Sequence, residues 1–150
     1  MVIVSNTSPL IALTHLGDID LIPKVFGGGV LIPPAVAHEF GGPSPAWVEI
    51  RSLQHPIGPR VLRPSLGAGE SEALALALEA RADLVLLDDK AARRLAAALR
   101  LPLMGTLGIL LKAKEAGLIG GIRPKLEELR ALPFHIAPKL YDAVLRAARE

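Results

Sequence analysis

The chain has 150 residues, of which 51% are apolar, and its formal net charge is +2 at pH 7. This length suffices for one domain with a substantial core, and because only 3% of the residues are aromatic, we expect that core to be aliphatic. The lack of cysteine excludes a disulfide framework and a thiolate zinc site. No apolar run approaches the roughly 20 residues that span a bilayer, and the N-terminus lacks the basic segment of a signal peptide. We therefore expect a cytoplasmic protein with no membrane partner.

The amino-terminal third is predicted to alternate short strands and helices. Ser8-Pro9 is a typical helix start, in which a polar cap precedes a proline at the first helical position. Ser44-Pro45 repeats this pattern and predicts a helix through Trp47 and Ile50. In chain order we expect a strand at 2–5, helices at 8–17 and 18–26, a strand at 30–32, and helices at 33–40 and 44–50.

The remainder starts with a segment rich in proline and glycine, 54–69, which we predict to be a loop with one extended piece at 61–62. The alternation then resumes, with helices at 70–81, 90–99, 107–116, 124–130 and 138–149, and strands at 84–87, 103–104 and 134–136. Strands alternating with helices indicate the α/β class. We predict a single domain over 1–150, a three-layer α/β/α sandwich with a mostly parallel central sheet.

Two apolar runs end abruptly on polar side chains. Residues 1–4 lead into Ser5-Asn6-Thr7-Ser8, and residues 84–87 lead into Asp88-Asp89. Short unbroken aliphatic runs are typical of strands buried on both faces in a parallel sheet. Ligands of such sheets bind in the crevice beyond the carboxyl ends of the strands. The sequence therefore predicts that an amide, hydroxyls and carboxylates share one crevice.

Two helices carry further acids. At about 100° per residue, Glu70 shares the apolar side of its helix with Ala77 and Leu78, whereas Glu72 shares the polar side with Glu79. A buried carboxylate has to be paired, hydrogen-bonded or bound to a cation.

Glu39 lies on the same helical side as Val36. Each candidate also has a structural interpretation. Glu70 is equally consistent with a capping acid, Glu39 with a solvated acid at a helix end, and Asn6 with a turn residue. One of Asp88 and Asp89 is expected to be an N-cap, and we assign Asp88 to the site and Asp89 to the cap or a supporting role.

Taken together, these residues place three acids and an amide at one sheet edge. Clustered carboxylates raise one another's pKa unless a cation neutralises them. Oxygen ligands without Cys or His suit Mg²⁺ or Mn²⁺ better than zinc. A site of this kind can polarise a phosphodiester and activate water for hydrolysis. The predicted ligands are Asn6, Glu39, Glu70 and Asp88, with Asp89 as a further contributor.

The chain resembles the PIN-domain family nearly from end to end. The resemblance covers the segments 4–11, 32–39, 69–73 and 86–93, and Gly105-Thr106-Leu107-Gly108 with the segment 134–136 is similar to one PIN-like branch. It implies an α/β/α sandwich and Mg²⁺- or Mn²⁺-dependent cleavage of RNA, often by the toxin of a toxin–antitoxin pair. It also implies RNA as substrate, an antitoxin as partner and a homodimer.

The resemblance assigns the family's acid quartet to Asn6, Glu39, Glu70 and Asp88. It further implies Thr7 or Ser8 as a hydroxyl helper, with Thr106 nearby, and we predict that these hydroxyl residues contact the substrate. The basic side chains of Lys90 and Arg93 are candidates for contacts with RNA phosphates. The first position of the quartet is normally aspartate, and Asn6 removes one negative charge, which should weaken cation binding. The alternative function is a catalytically impaired PIN-like module that binds RNA or a protein.

Overall fold

The computed structural model of the chain describes residues 1–56, 58–59, 66–133 and 136–150. The predicted extended piece at 61–62 lies outside the described residues, as do positions 134 and 135 of the predicted strand at 134–136. Ile136, the described residue of that prediction, does not belong to a strand.

The centre of the molecule is a five-stranded sheet in which every pair is parallel. Its strands are β1 Ile3–Ser5, β2 Val30–Ile32, β3 Val48–Ile50, β4 Leu84–Leu86 and β5 Leu103–Met104, in the spatial order β3-β2-β1-β4-β5. Val4 of β1 lies opposite Leu31 on one side and Val85 on the other. Because β1 is central, all three of its residues are buried, as its unbroken apolar run predicts.

Eight helices have both ends within the described ranges. They are α1 Thr7–His15, α2 Leu21–Phe26, α3 Pro34–Phe40, α4 Ala68–Ala80, α5 Lys90–Ala98, α6 Thr106–Glu115, α7 Arg123–Leu129 and α8 Pro138–Ala147. Helix α4 packs on α3 and β1, while α6 packs on α2, α1 and β5. The predicted α/β sandwich with a parallel sheet is confirmed. No helix in these ranges has the length and apolar character needed to cross a membrane.

The core is aliphatic, as the composition predicts. The largest fully buried side chains are all leucine or isoleucine, among them Leu10, Ile22, Leu74 and Leu110. Burial of one such side chain is worth roughly 1.5–3 kcal/mol relative to exposure.

Helix α4 does not have the single apolar side that we expected. Its residues from Ala73 to Ala77 are all buried, because small alanines let neighbouring elements approach it from several directions. Glu70 and Glu72 are both half-buried, so the predicted contrast between an apolar and a polar side is wrong at this end of the helix.

The predicted helix at 44–50 is wrong. Residues Val48–Ile50 form strand β3, and Val48 and Ile50 lie in parallel register with Val30 and Ile32. The amide of Val30 donates to the carbonyl of Trp47 at 3.1 Å. Pairing with β2 therefore outweighs the local Ser-Pro signal, and the β-branched residues of 48–50 suit a strand.

The first helix begins earlier than predicted. Asn6, rather than Ser8, occupies the N-cap of α1, and its backbone is extended (φ −82°, ψ 176°). The amide of Asn6 donates to the carbonyl of Leu86 at 2.9 Å, which prolongs the ladder between β1 and β4. Because Asn6 still belongs to this ladder, the helix begins at the next residue, Thr7. The ends of the other confirmed helices lie within three residues of the predicted ones.

Glu150 ties the last helices together. Its carboxylate accepts hydrogen bonds from Lys114 Nζ at 2.9 Å and from the backbone amides of Ile122 at 2.7 Å and Arg123 at 3.2 Å. These bonds, that from Lys114 above all, lower the pKa of Glu150 to about 2. The contact links α6 and the start of α7 to the residues after α8.

Candidate functional site

The predicted site residues lie on neighbouring elements at the carboxyl edge of the sheet. Asn6 follows β1, and Asp88 follows β4 by two residues. Glu39 lies in α3, which directly follows β2, and Glu70 lies in the first turn of α4. The strand ladder holds the chain segments of Asn6 and Asp88 side by side, because the amide of Asn6 donates to the carbonyl of Leu86, two residues before Asp88.

Asn6 is the most buried of the four predicted ligands, with 1% of its surface exposed. Its side chain makes no capping bond to α1, and its Oδ1 atom has no hydrogen-bond partner among the described residues. A buried polar oxygen without a partner is destabilising by about 1–3 kcal/mol. An oxygen in this condition can accept a cation or a donor from a ligand.

Glu39 is anchored by two donors although its side chain is exposed. Thr7 Oγ1 donates to its Oε2 at 2.7 Å, and the amide of Gly69 donates to its Oε1 at 2.9 Å. Gly69 lies in the first turn of α4, whose free amides favour a negative charge. The carboxylate of α3 thereby caps the neighbouring helix α4 and brings α1, α3 and α4 together.

Asp88 is anchored in a similar way by Thr106. The backbone amide of Thr106 donates to Oδ1 and its hydroxyl donates to Oδ2, both at 2.7 Å. Burial raises the pKa of Asp88, while the two bonds from Thr106 and the charge of Arg93 act in the opposite direction. Thr106 begins α6, so Asp88 caps that helix rather than its own.

Glu70 differs from the other two acids. The described residues donate no hydrogen bond to its carboxylate, which lies beside Gly67, the N-cap of α4. Half-buried and near a helix N-terminus, its charge is favourably placed. Glu70 is therefore the acid whose oxygens are the most available to a ligand within the described part of the chain.

Glycines pack directly against all three acids, a feature that the sequence analysis missed. A Cβ atom at Gly69 would lie 2.6 Å from both carboxylate oxygens of Glu39, and one at Gly67 would lie 2.6 Å from Glu70 Oε2. A Cβ atom at Gly105 would lie 2.8 Å from Asp88 Oδ1. The available signal was glycine immediately before or within the first turn of a helix. From the sequence we treated Gly67 and Gly69 only as part of the predicted loop at 54–69.

Two of the residues predicted to contact the substrate, Thr7 and Thr106, form hydrogen bonds within the protein. The hydroxyls of Thr7 and Thr106 donate to Glu39 and Asp88, and both threonines are buried. Their hydroxyls are thus committed to acids of the site. Contact of either threonine with a substrate stays a prediction.

The basic candidates lie beside the site on α5. Arg93 Nη1 donates to the carbonyl of Leu87 at 2.8 Å. Lys90 is exposed at the first turn of α5, and Ser8 is half-buried in the first turn of α1. Contacts of Ser8, Lys90 and Arg93 with a substrate likewise stay predictions.

Asp89 is the N-cap of α5, because its side chain accepts a hydrogen bond from the amide of Ala92 at 2.9 Å. Of the two interpretations offered for the Asp88-Asp89 pair, the capping role therefore belongs to Asp89. Glu72 accepts from the amide of Ala35 at 3.2 Å, in the first turn of α3.

The donor set agrees in chemistry with a hard divalent cation, but the acids are not gathered around one point. Within the described ranges, no group of three or more Asp, Glu, His or Cys side chains lies close enough to hold a metal ion. The oxygens present are two anchored carboxylates, one carboxylate without a described donor, and the unpartnered Oδ1 of Asn6. Asn6 and Glu70 are the residues best suited to bind a cation at this edge.

Comparison with known proteins supports the relationship that the sequence suggests. A family model, DUF3368, described as a PIN domain, matches residues 2–150. Neither the curated proteins nor the solved structures gave a significant match. The matched region includes every residue of the candidate site and all five strands of the parallel sheet. The chain therefore belongs to the PIN-domain family.

Proposed function

We propose that this protein is an endoribonuclease that hydrolyses RNA phosphodiester bonds with Mg²⁺ or Mn²⁺. The unpartnered Oδ1 of Asn6 is the observation that carries the proposal. This buried oxygen belongs to the residue before Thr7, which binds Glu39, and the backbone amide of Asn6 binds Leu86, two residues before Asp88. PIN domains are generally nucleases, and the oxygen ligands at this edge suit a hard cation.

In this proposal the chain's own residues hold and orient the cation and the substrate. Asn6 supplies a neutral oxygen and Glu70 a carboxylate. Glu39 and Asp88 keep fixed orientations through Thr7 and Thr106. The lone pairs of their carboxylates that remain free would bind the cation. A divalent cation held by these residues would polarise the phosphodiester and lower the pKa of water. The exposed Lys90 would contact a phosphate of the RNA.

A cleavage assay tests the proposal. Fluorescently labelled single-stranded RNAs of varied sequence are incubated with the protein in Mn²⁺, Mg²⁺ or EDTA. We expect products with either metal and none with EDTA. Asp88→Asn and Glu70→Gln should each lower the rate at least tenfold, since each removes a charge from the ligand set.

Asp142→Asn is the matched control for Asp88→Asn. Asp142 is exposed on α8, so the same chemical change away from the site should leave cleavage intact. The absence of metal-dependent cleavage from every RNA tested, or equal cleavage by Asp88→Asn and the native protein, would refute the ribonuclease proposal.

Membership of the family also supports a more specific role, as the cytoplasmic toxin of a toxin–antitoxin pair that acts as a homodimer. Induced expression in a bacterial host should then arrest growth, and expression of Asp88→Asn should not. Light scattering measures whether the native protein is a dimer. Normal growth at a high level of native protein would argue against the toxin role.

A second candidate function is a catalytically impaired PIN-like module that binds RNA or a protein partner. The observation in its favour is the absence of a three-acid group among the described residues, together with the neutral side chain of Asn6. Such a module would bind labelled RNA equally well in Mn²⁺ and in EDTA, without cleaving it. Binding measured by fluorescence anisotropy separates the two functions, because a metal-dependent nuclease site should bind RNA more tightly with Mn²⁺.

A further inference from the structure

The contact between Asp88 and Thr106 is the most complete anchoring of an acid at this sheet edge. Both oxygens of Asp88 receive a hydrogen bond from the same residue, at 2.7 Å each. Thr106 is fully buried, and no other hydrogen bond of its hydroxyl is formed within the described part of the chain. The two donors fix the plane of the carboxylate, which a single bond would not do.

Gly105 supplies the space for this arrangement. A Cβ atom there would lie 2.8 Å from Asp88 Oδ1, 2.9 Å from Arg93 Nη1 and 3.5 Å from the carbonyl oxygen of Leu87. The backbone of Gly105 is extended (φ −94°, ψ 178°), a conformation open to any residue. A larger residue here would displace Asp88 or Arg93, so glycine is favoured by the approach of these side chains and not by the backbone torsions.

We propose that Thr106 is a positioning residue that holds the Asp88 carboxylate in one orientation toward the sheet edge. Gly105, which has no side chain, leaves the space that this carboxylate occupies. The importance of this orientation for cation binding rests on the proposed function. In place of the substrate contact predicted from the sequence, Thr106 then acts through Asp88.

The orientation of Asp88 can be measured without any metal. Three-bond couplings between the α- and β-protons of Asp88 report whether its side chain occupies one rotamer or several. We expect one rotamer in the native protein and in Thr106→Ser, which keeps the hydroxyl. Thr106→Val keeps the size and the backbone amide but lacks the hydroxyl, so its Asp88 couplings should average. A single unchanged rotamer in Thr106→Val would overturn the inference.

Thr14→Val is the matched control. The hydroxyl of Thr14 donates to the carbonyl of Leu10 within α1, so this variant loses a comparable bond away from Asp88. It should leave the Asp88 couplings unchanged.

Gly105→Ala provides an independent variant should Thr106→Val unfold. Its Cβ should displace the Asp88 carboxylate and change the same couplings, whereas Gly120→Ala, which meets no atom within 4 Å, should not. Identical Asp88 couplings in Gly105→Ala and the native protein would count against the inference.

Calorimetric titration with MnCl₂ then relates orientation to function. We expect Thr106→Val to bind Mn²⁺ about tenfold more weakly, the loss expected from one hydrogen bond to a charged group, and Thr106→Ser to bind with nearly native affinity. Equal affinities of Thr106→Val and the native protein would also overturn the inference. If the native protein binds no Mn²⁺, the proposed function fails, and the rotamer measurement still decides the role of Thr106.

Discussion

Asn6→Asp should make the stability of the fold dependent on a divalent cation. The change preserves size and shape but puts a carboxylate at a position that is only 1% exposed, where Oδ1 has no described partner. Burial can raise the pKa of a carboxyl by several units, and the N-terminus of α1 offsets part of this effect. A net rise of about two units corresponds to about 2.7 kcal/mol of lost stability at pH 7.

This loss is large enough to measure. For a chain of this size, 1 kcal/mol shifts the melting temperature by about 2–4 °C, so Asn6→Asp in EDTA should melt roughly 5–11 °C below the native protein. A cation at one hundred times its dissociation constant stabilises the folded state by about 2.7 kcal/mol. Saturating Mn²⁺ should therefore restore most of the lost stability.

The assay is thermal unfolding at pH 7 in EDTA and over a series of MnCl₂ concentrations. Gln54→Glu adds the same charge at an exposed position and should change stability by no more than about 0.5 kcal/mol. The reasoning is refuted if Asn6→Asp melts at the native temperature in EDTA, or if Mn²⁺ raises the melting temperatures of the native protein and the variant equally.

Three further predictions concern the frame that supports the site. Gly29→Ala should lower stability by about 1–3 kcal/mol in denaturant unfolding, because its Cβ would lie 1.9 Å from the carbonyl oxygen of Trp47, in the backbone that joins β2 to β3. Arg100→Gly should raise stability by about 0.5 kcal/mol in the same assay, since Arg100 has a left-handed backbone (φ 59°) that favours glycine. Glu150→Gln should flatten the acid side of a stability–pH profile. The pKa of Glu150 is lowered from 4.5 to about 2, so its contribution is present above pH 4.5 and is lost as the pH falls toward 2.

Each of these variants has a counterpart that isolates its cause. Gly28→Ala meets no atom within 4 Å and should be nearly neutral, unlike Gly29→Ala. Arg94→Gly makes the same change as Arg100→Gly inside α5 and should destabilise by about 1 kcal/mol. Glu128→Gln neutralises an exposed glutamate of α7 and should leave the profile unchanged. A profile for Glu150→Gln that parallels the native one between pH 2 and 4.5 would contradict the pKa argument.

The sequence was sufficient to locate the ends of β1 and β4 to within one residue, because a buried parallel strand is a continuous apolar run that stops near the first polar side chains. Asn6 and Asp88 are identified in this way. The same local reasoning was wrong at Ser44-Pro45, since a cap followed by proline describes only the start of a helix. The pairing of Val48–Ile50 with β2 decides the outcome there, and it is a contact between segments.

The anchoring of the acids could not be predicted for a related reason. The bond between Glu39 and the amide of Gly69 joins residues 30 positions apart, and it forms because α3 packs on α4. That between Asp88 and Thr106 joins residues 18 positions apart across the β4–β5 pair. Residue type alone indicates that a carboxylate needs a partner, whereas helix packing determines which amide or hydroxyl provides it.

These contacts also distinguish Asn6 from the acids of the candidate site. Glu39 and Asp88 each cap a neighbouring helix, so replacing either one removes a structural contact along with a candidate ligand. Asn6 forms no side-chain cap, and its amide bond to Leu86 uses only the backbone. An exchange between amide and acid at this position therefore changes the charge of the site without removing a described side-chain hydrogen bond. A loss of cleavage in Asp88→Asn must accordingly be judged beside its melting temperature. The activity of Asn6→Asp is compared at saturating Mn²⁺, where most of its lost stability should be restored.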